Sequence, residues 1–204
     1  MRKILFILGD MRSGKTSTCK SLFSRLTDLS LKPYALVEEN ERDDAGIPVK
    51  LFLHELNSGR ISLLGTRDPP GEDPRENPAD QSLAPAKEGY GPFDFSAEAF
   101  GEAVYGLEAA WCDGFSPIIL DEVGPLEVLG HAGFREWLLR ALSREHCFLV
   151  ISMRPGLVGA FMDLMDANIP DARDIDAGSF SLEELDPEKM LDALSKVILR
   201  HCHG

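Results

Sequence analysis

Gly9-Asp-Met-Arg-Ser-Gly-Lys-Thr16 is the stretch of sequence that decides the fold. It fits the pattern G-x-x-x-x-G-K-[ST], which predicts a phosphate-binding loop when a strand precedes it and a helix follows it. Residues 4–8 are a short apolar run typical of a buried strand, and residues 16–29 place apolar side chains at helical spacing. We therefore predict a nucleoside triphosphate site at this loop.

The loop has the physical properties of a phosphate cradle. Its backbone N–H groups and the N-terminus of the following helix point to one place, and both favour an anion there. Lys15 is predicted to reach the β- and γ-phosphates, and the Thr16 hydroxyl to bind Mg²⁺. Without a ligand we expect Lys15 to be exposed, because phosphate is its only evident partner. The residues predicted to contact the nucleotide are Gly9, Asp10, Met11, Arg12, Ser13, Gly14, Lys15, Thr16 and Ser17.

Two acidic residues follow another apolar run farther along the chain. Residues 118–120 lead directly into Asp121 and Glu122. Ligands of open α/β sheets gather at the carboxyl ends of the strands, so we expect both acids to face the phosphate loop. Asp121 is the predicted partner of Thr16 at the Mg²⁺, and Glu122 the predicted base for a water in line with the γ-phosphate. The alternative is a pair of acids that only caps a strand at the surface.

Two further sets of charged residues each allow two interpretations. Arg154 follows a predicted strand and either contacts transition-state charge, as a catalytic residue beside Lys15 and Glu122, or is a surface arginine at a helix start. Glu38, Glu39 and Arg42 either line a pocket or form a solvated face, and their place in a charge run favours the solvated face.

The rest of the chain alternates predicted strands with predicted helices. Residues 47–53 and 60–64 are predicted to form a β-hairpin, residues 38–44 a solvated loop, and residues 65–92, rich in Pro, Gly and acids, a long mobile loop. The alternation predicts a three-layer α/β fold with a mostly parallel sheet and an inserted hairpin. The other strands are predicted at residues 32–37, 93–95, 117–120, 147–152 and 172–175. The other helices are predicted at 97–111, with Ser96 as the N-cap, at 132–142, at 155–165 and from Pro187 onward.

Composition limits the class of protein. A chain of 204 residues with 44% hydrophobic and 27% charged residues is typical of a single globular domain, here predicted to span 1–204. The net charge is −13, and the seven Lys and Arg among the first 37 residues are its one basic region, so we expect no nucleic-acid partner. Four cysteines without a C-x-x-C pair suit a reducing cytoplasm, and no apolar stretch approaches a membrane span. The sequence is silent on oligomeric state.

The acidic motif also carries a resemblance to a known family. Asp121-Glu-Val-Gly-Pro-Leu-Glu127 resembles the D-E-[IV]-G-x-[ML]-E signature of the cancer-related nucleoside-triphosphatase family. The resemblance covers most of the chain, including the phosphate loop and residues 38–64, and is weakest across 65–92 and after 166. It implies a compact P-loop NTPase fold and slow, Mg²⁺-dependent hydrolysis of several nucleoside triphosphates to diphosphate and phosphate.

The same resemblance implies roles for individual residues. Lys15 and Thr16 would hold phosphate and metal, Asp121 the metal, and Glu122 the water. Glu127 matches the trailing Glu of the family signature, whose role stays open. The loop filling departs from the small, Pro- and Gly-rich filling usual in that family. Arg12 in that filling adds positive charge over the phosphates, so the choice between ATP, GTP and other nucleotides stays open.

Three functions remain in consideration. A Mg²⁺-dependent hydrolase is the first. A small-molecule or nucleotide kinase is the second, because other phosphoryl acceptors use the same cradle, although the 65–92 segment has few arginines for a lid. A GTP-dependent switch is the third; the motif has D-x-x-G spacing, but Pro125 follows it and no N-K-x-D motif is present.

Overall fold

The computed structural model describes residues 2–67 and 93–202, which form one central sheet with helices on both faces. The strands are β1 Arg2–Leu8, β2 Tyr34–Arg42, β3 Pro48–Glu55, β4 Arg60–Arg67, β5 Phe93–Phe95, β6 Ile118–Leu120, β7 Cys147–Met153 and β8 Asp176–Ser181. The helices are α1 Lys15–Asp28, α2 Ala97–Cys112, α3 Pro125–Val128, α4 Arg135–Leu142, α5 Val158–Asn168 and α6 Pro187–Cys202. Among these residues, no helix is both long and apolar enough to cross a membrane.

The sheet combines a parallel core with an antiparallel extension. Its strand order is β5-β4-β3-β2-β6-β7-β1-β8. Strands β2, β6, β7, β1 and β8 pair in parallel, whereas β3, β4 and β5 pair antiparallel beyond β2. Strand β7 therefore lies between β1, which leads into the phosphate loop, and β6, which leads into the two acids. The carboxyl ends of all three strands meet at the same edge of the sheet.

Side-chain alternation along the strands divides the core into two layers. In β1, Leu5 and Ile7 belong to a cluster that includes side chains of α1 and α6, such as Leu22 and Leu194. The intervening Phe6 belongs to the other cluster, with side chains of α2, α4 and α5. Because a parallel sheet must be covered on both faces, the two apolar faces of β1 account for the three layers.

Several local predictions are confirmed by the structure. The hairpin forms as β3 and β4, and residues 93–95 form an edge strand, β5. Ser96 caps α2, since its hydroxyl oxygen accepts a hydrogen bond of 3.1 Å from the Ala99 N–H. Helix α6 begins at Pro187, whose missing N–H costs nothing in the first turn.

The prediction of a solvated loop at residues 38–44 is wrong. The charge run instead continues strand β2 as far as Arg42. Neighbouring structure holds this strand: Glu39 pairs with Lys20 of α1 and His54 of β3, and Glu41 pairs with Lys50 across the ladder. These partners lie on other elements, so the charge run alone does not reveal them.

Other boundaries also differ from the prediction. Residues 172–174 form a short 3₁₀ turn rather than a strand, and the strand begins at Asp176, on a sheet edge where a continuous apolar run is not required. Residues 155–157 are also a 3₁₀ turn, after which α5 begins at Val158. Strand β4 extends to Arg67, into the predicted mobile loop, and the remainder of that loop, 68–92, lies outside the described residues.

Candidate functional site

The phosphate loop connects β1 to α1 as the sequence predicted. Gly14, at the start of α1, has φ of 98°, a left-handed conformation that glycine adopts without steric cost. A Cβ on Gly9 would lie 2.2 Å from Ser13 Oγ and 3.0 Å from Ser13 Cβ, so any other residue at position 9 would force Ser13 to move. Arg12 also has a positive φ, 65°, which is rare outside glycine. The two glycines of the motif thus permit the tight turn between β1 and α1.

Lys15 is buried rather than exposed, contrary to expectation. Its side chain is 2% exposed; Nζ donates to the Asp10 carbonyl at 3.0 Å and lies 3.0 Å from Glu122 Oε1. The expectation was wrong because it considered phosphate as the only partner. The acid that follows β6 reaches across β7 to the lysine, which only the strand order reveals.

Thr16 and Asp121 meet at the base of the same site. The Thr16 hydroxyl donates to Asp121 Oδ2 at 2.6 Å, and Asp121 is only 6% exposed. Burial raises the pKa of Asp121, while hydrogen bonds from Ser152 and Thr16 act in the opposite direction. Both predicted metal ligands are therefore adjacent, 105 positions apart in the chain, and fixed by other groups.

Glu122 adopts an unusual backbone conformation. Its φ is 55°, in the left-handed region that costs energy for residues with a side chain. Its N–H donates to Ser152 Oγ at 2.9 Å, and its carboxylate, 30% exposed, turns towards Lys15. The reversal of the backbone directly after Asp121 sends the two acids to different partners.

Ser152, which sequence reasoning missed, orients both acids. Its hydroxyl donates to Asp121 Oδ1 at 2.5 Å while accepting the Glu122 N–H. The residue is fully buried on β7, between the strands that carry the loop and the acids. A signal was present, because Ser152 is the one hydroxyl residue in the otherwise apolar run Cys-Phe-Leu-Val-Ile-Ser-Met.

Glu127, the last residue of the acidic motif, forms hydrogen bonds with the backbone on both sides of α3. Its carboxylate is buried and accepts hydrogen bonds from the N–H groups of Gly124, at 3.0 Å, and Phe134, at 3.3 Å. Burial raises its pKa. A Cβ on Gly133 would lie 2.1 Å from Glu127 Oε1, so this carboxylate fills the space beside glycine. Glu127 thereby ties the segment after β6 to the residue before α4.

A cleft of about 580 Å³ runs from the phosphate loop past the two acids. At the loop end it is lined by Lys15, Thr16 and Ser17, with Arg154 also on its wall. Beyond the acids its lining becomes apolar. We call this second part the apolar chamber; its main lining residues are Leu51, Leu53, Leu64, Phe95, Phe100 and Phe134.

The residues of the former charge run divide between two faces of β2. Glu38, Asn40 and Arg42 alternate onto the face that borders the cleft. Glu39 faces the other way, towards Lys20. Burial, followed by the negative charges of Glu122 and Asp121, raises the pKa of Glu38 to about 8. The pocket interpretation therefore holds for Glu38 and Arg42, and the surface interpretation for Glu39.

The remaining predicted residues lie at the mouth of the cleft. Arg154 directly follows β7 and is exposed on the cleft wall. Its side chain forms no ion pair or hydrogen bond with the residues that the structure describes. Met11 is 73% exposed. Arg12 donates to the Gly46 carbonyl at 3.3 Å, so its guanidinium is directed towards the β2–β3 turn. These residues share the cleft but do not contact the acids.

The donor set at Thr16 and Asp121 fits Mg²⁺. A hydroxyl and a carboxylate are hard oxygen donors, and a Mg²⁺ that accompanies phosphates is commonly held by one or two protein groups, with phosphate and water completing its octahedron. Over residues 2–67 and 93–202, no group of three or more His, Cys, Asp or Glu side chains is arranged as a metal site. The two oxygen donors, Thr16 and Asp121, suit an ion that arrives with a phosphate ligand.

Comparison with known proteins supports the fold. No family model matches the chain, and no significant match was found among curated proteins. The chain is similar to the crystal structure of THEP1 from the hyperthermophile Aquifex aeolicus, with a TM-score of 0.64 and 15% sequence identity, over 97% of this chain and 99% of that one. The predicted three-layer P-loop NTPase fold, with its mostly parallel sheet, is therefore confirmed.

Proposed function

We propose that this chain, which has the P-loop NTPase fold, binds a nucleoside triphosphate with Mg²⁺ and hydrolyses it to diphosphate and phosphate. The observation that carries the proposal is the contact between Thr16 Oγ1 and Asp121 Oδ2, 2.6 Å apart. It joins the phosphate loop to the acidic motif at the edge of the sheet where ligands of this fold class gather. Two independent sequence signals for one chemistry thus come together in space.

Each protein group has a separate task in the proposed reaction. The loop N–H groups and Lys15 bind the β- and γ-phosphates, and Thr16 and Asp121 hold the metal. Bound Mg²⁺ would neutralise charge on the phosphate oxygens. Glu122 accepts a proton from the attacking water, and the bond from the γ-phosphorus to the bridging oxygen breaks, so the diphosphate leaves with that electron pair.

Positioning supports this assignment of the base. Ser152 holds the Asp121 carboxylate and the Glu122 N–H at the same time, so one hydroxyl fixes the relation between the metal ligand and the base. Phosphoryl transfer depends mainly on such positioning and on stabilisation of charge. Arg154, exposed on the cleft wall, is proposed to supply the latter when the nucleotide is bound.

The finer assignments belong to the same proposal. We place the chain with the cancer-related nucleoside-triphosphatase family on the strength of its acidic motif, as a single domain in the cytoplasm that does not bind nucleic acid. The nucleotide is ATP, GTP or another triphosphate, because Lys15 and Thr16 are assigned to phosphate and metal rather than to the base, and such a loop would accept several nucleotides.

A nucleotide panel tests the proposal. ATP, GTP, CTP and UTP are each incubated with the protein and Mg²⁺, with and without EDTA. The inorganic phosphate and the nucleoside diphosphate that form are quantified. We expect equal amounts of nucleoside diphosphate and phosphate, and no release in EDTA.

The matched variants are Lys15→Ala and Lys20→Ala. Both lysines belong to α1, which begins at Lys15. Lys15→Ala should lose triphosphate binding, measured by calorimetry, because it removes the ammonium at the site. Lys20→Ala removes only an ion pair with Glu39 and should bind as the parent does. Unchanged nucleotide affinity in Lys15→Ala would contradict the proposal.

A further inference from the structure

The apolar chamber lies on the far side of the acids from the phosphate loop. Across the sheet the order is β1 with the loop, then β7, then β6 with the acids, then β2, β3, β4 and β5. The chamber is lined from the last three of these strands and from residues of α2 and the start of α4. Along the sheet, the acids at the end of β6 therefore lie between the phosphate loop on one side and the apolar chamber on the other.

This order decides which end of a nucleotide faces the chamber. Lys15, Thr16 and Asp121 are the groups that hold the β- and γ-phosphates and their metal. The γ-phosphate is therefore the end nearest the acids, and the nucleoside extends away from them. As far as residues 2–67 and 93–202 define it, the chamber is left for a molecule that approaches the γ-phosphate from the opposite side.

The chamber is built from aromatic rings. The Phe95 and Phe100 ring centroids are 6.1 Å apart, and those of Phe100 and Phe134 are 5.1 Å apart with a near-perpendicular arrangement. Phe95 and Phe100 are only partly buried and line the cleft. Rings arranged in this way favour edge-to-face contact with another planar ring. Water, the second substrate of a hydrolase, gains nothing from such walls.

The charges at the chamber border select against an anion. Glu38 and Glu122 face it from β2 and from the end of β6, and Glu127 also lies on the cleft wall. The nearest arginine on β2, Arg42, is engaged with the Gly46 carbonyl at 2.7 Å. Glu122 would repel a negatively charged molecule here, whereas a hydroxyl group finds acceptors in its carboxylate oxygens. Glu38, whose pKa burial raises to about 8, is largely uncharged near neutral pH and adds a carboxyl group rather than a charge.

We infer that the apolar chamber binds a second substrate, an uncharged alcohol that carries a planar ring, and that this alcohol accepts the γ-phosphoryl group. The inference rests on the proposed function, since it uses the same triphosphate and the same base. The alcohol oxygen forms a bond to the γ-phosphorus, the bond to the bridging oxygen breaks, and Glu122 takes the hydroxyl proton. The products are a phosphate ester and a nucleoside diphosphate.

The experiment measures how the γ-phosphoryl group divides between two acceptors. The protein, Mg²⁺ and the γ-labelled triphosphate that is hydrolysed fastest are incubated with 2-phenylethanol or 4-pyridinemethanol, and with ethanol as the ringless control. Labelled ester and labelled phosphate are separated and their ratio is measured. In parallel, saturation-transfer NMR detects binding of each alcohol through its ring or methyl protons. We expect the ester-to-phosphate ratio to be about tenfold higher with the ring alcohols than with ethanol.

Two matched variants locate the effect. Phe95→Leu keeps an apolar side chain of similar size but removes a ring from the chamber, and should lower the ratio by about threefold to tenfold. Phe23→Leu makes the same substitution at a partly buried ring that packs on the opposite face of the sheet, and should leave the ratio as it is in the parent.

The outcomes separate this inference from the proposed function. Hydrolysis in which ring alcohols receive no more phosphate than ethanol overturns the inference and leaves the proposed function in place. The saturation-transfer signal of the alcohol ring protons gives a second test. A signal that is unchanged in Phe95→Leu but lower in Phe23→Leu also overturns the inference, because the alcohol would then bind outside the chamber. Absence of phosphate release and of ester with every triphosphate contradicts the proposed function and the transfer together, whereas the NMR measurement still tests binding to the chamber.

Discussion

Lys15 and Glu122 form an ion pair across the cleft, with Lys15 Nζ 3.0 Å from Glu122 Oε1. The lysine is buried and also donates to the Asp10 carbonyl at 3.0 Å, whereas the glutamate remains 30% exposed. The residue proposed to hold phosphate thus holds the proposed base. In the proposed reaction, a γ-phosphate bound at Lys15 would compete with Glu122 for the same ammonium, and this would free the carboxylate to accept a proton.

The first prediction concerns Glu122→Gln. The substitution keeps the shape of the side chain and removes the proton acceptor, so the rate of hydrolysis should fall ~10²–10⁴-fold while Mg²⁺–nucleotide affinity stays close to that of the parent. Single-turnover kinetics and calorimetry measure the two quantities separately. Glu39→Gln, on the opposite face of β2, is the control and should hydrolyse normally. Joint loss of affinity and rate would make Glu122 a ligand or structural residue instead.

The second prediction concerns Ser152→Ala. Without the hydroxyl, Asp121 Oδ1 and the Glu122 N–H both lose a hydrogen-bond partner. The two acids are then no longer fixed relative to one another. We expect the Mg²⁺ concentration for half-maximal rate to rise, or the rate to fall, by about 10–100-fold. Ser195→Ala is the matched control, because Ser195 is also buried and its hydroxyl has no hydrogen-bond partner among the described residues. Equal Mg²⁺ dependence in both variants would exclude this role for Ser152.

Arg154 gives the third prediction. If it stabilises transition-state charge, Arg154→Ala should lower kcat by ~10²-fold or more with little change in nucleotide affinity. Arg154→Lys should restore only part of the rate, since a point charge does not replace the planar guanidinium. Arg173→Ala, another exposed arginine outside the cleft, serves as control. Parental turnover in both Arg154 variants would identify it as a surface residue.

The fourth prediction concerns stability. Glu127→Ala leaves the N–H groups of Gly124 and Phe134 without their carboxylate acceptor and opens space beside Gly133. The free energy of unfolding should fall by about 2–4 kcal/mol, because hydrogen bonds to a charged group are lost at a buried site. Urea denaturation measures it, with Glu136→Ala, an exposed glutamate of α4, as the control. A change below about 0.5 kcal/mol would mean that solvent replaces Glu127.

The sequence by itself determined the phosphate loop, the hairpin, the Ser96 cap and the position of Asp121 and Glu122 after a buried strand. Each of these depends on neighbouring residues: glycines that permit a turn, a hydroxyl at a helix start, or an apolar run of the correct length. Local physics acts over a few positions, so a local pattern is sufficient to predict them. The three-layer arrangement also followed, because near-continuous apolar strands require cover on both faces.

Only the tertiary structure decided which distant groups meet. The burial of Lys15, the extension of β2 through residue 42 and the role of Ser152 all depend on the strand order, which places β7 between β1 and β6 and pairs β2 with β3. The same order places the aromatic rings of β5 and α2 beyond the acids. Pairing between strands far apart in the chain depends on long-range packing and hydrogen bonding, and no single segment of sequence contains that information.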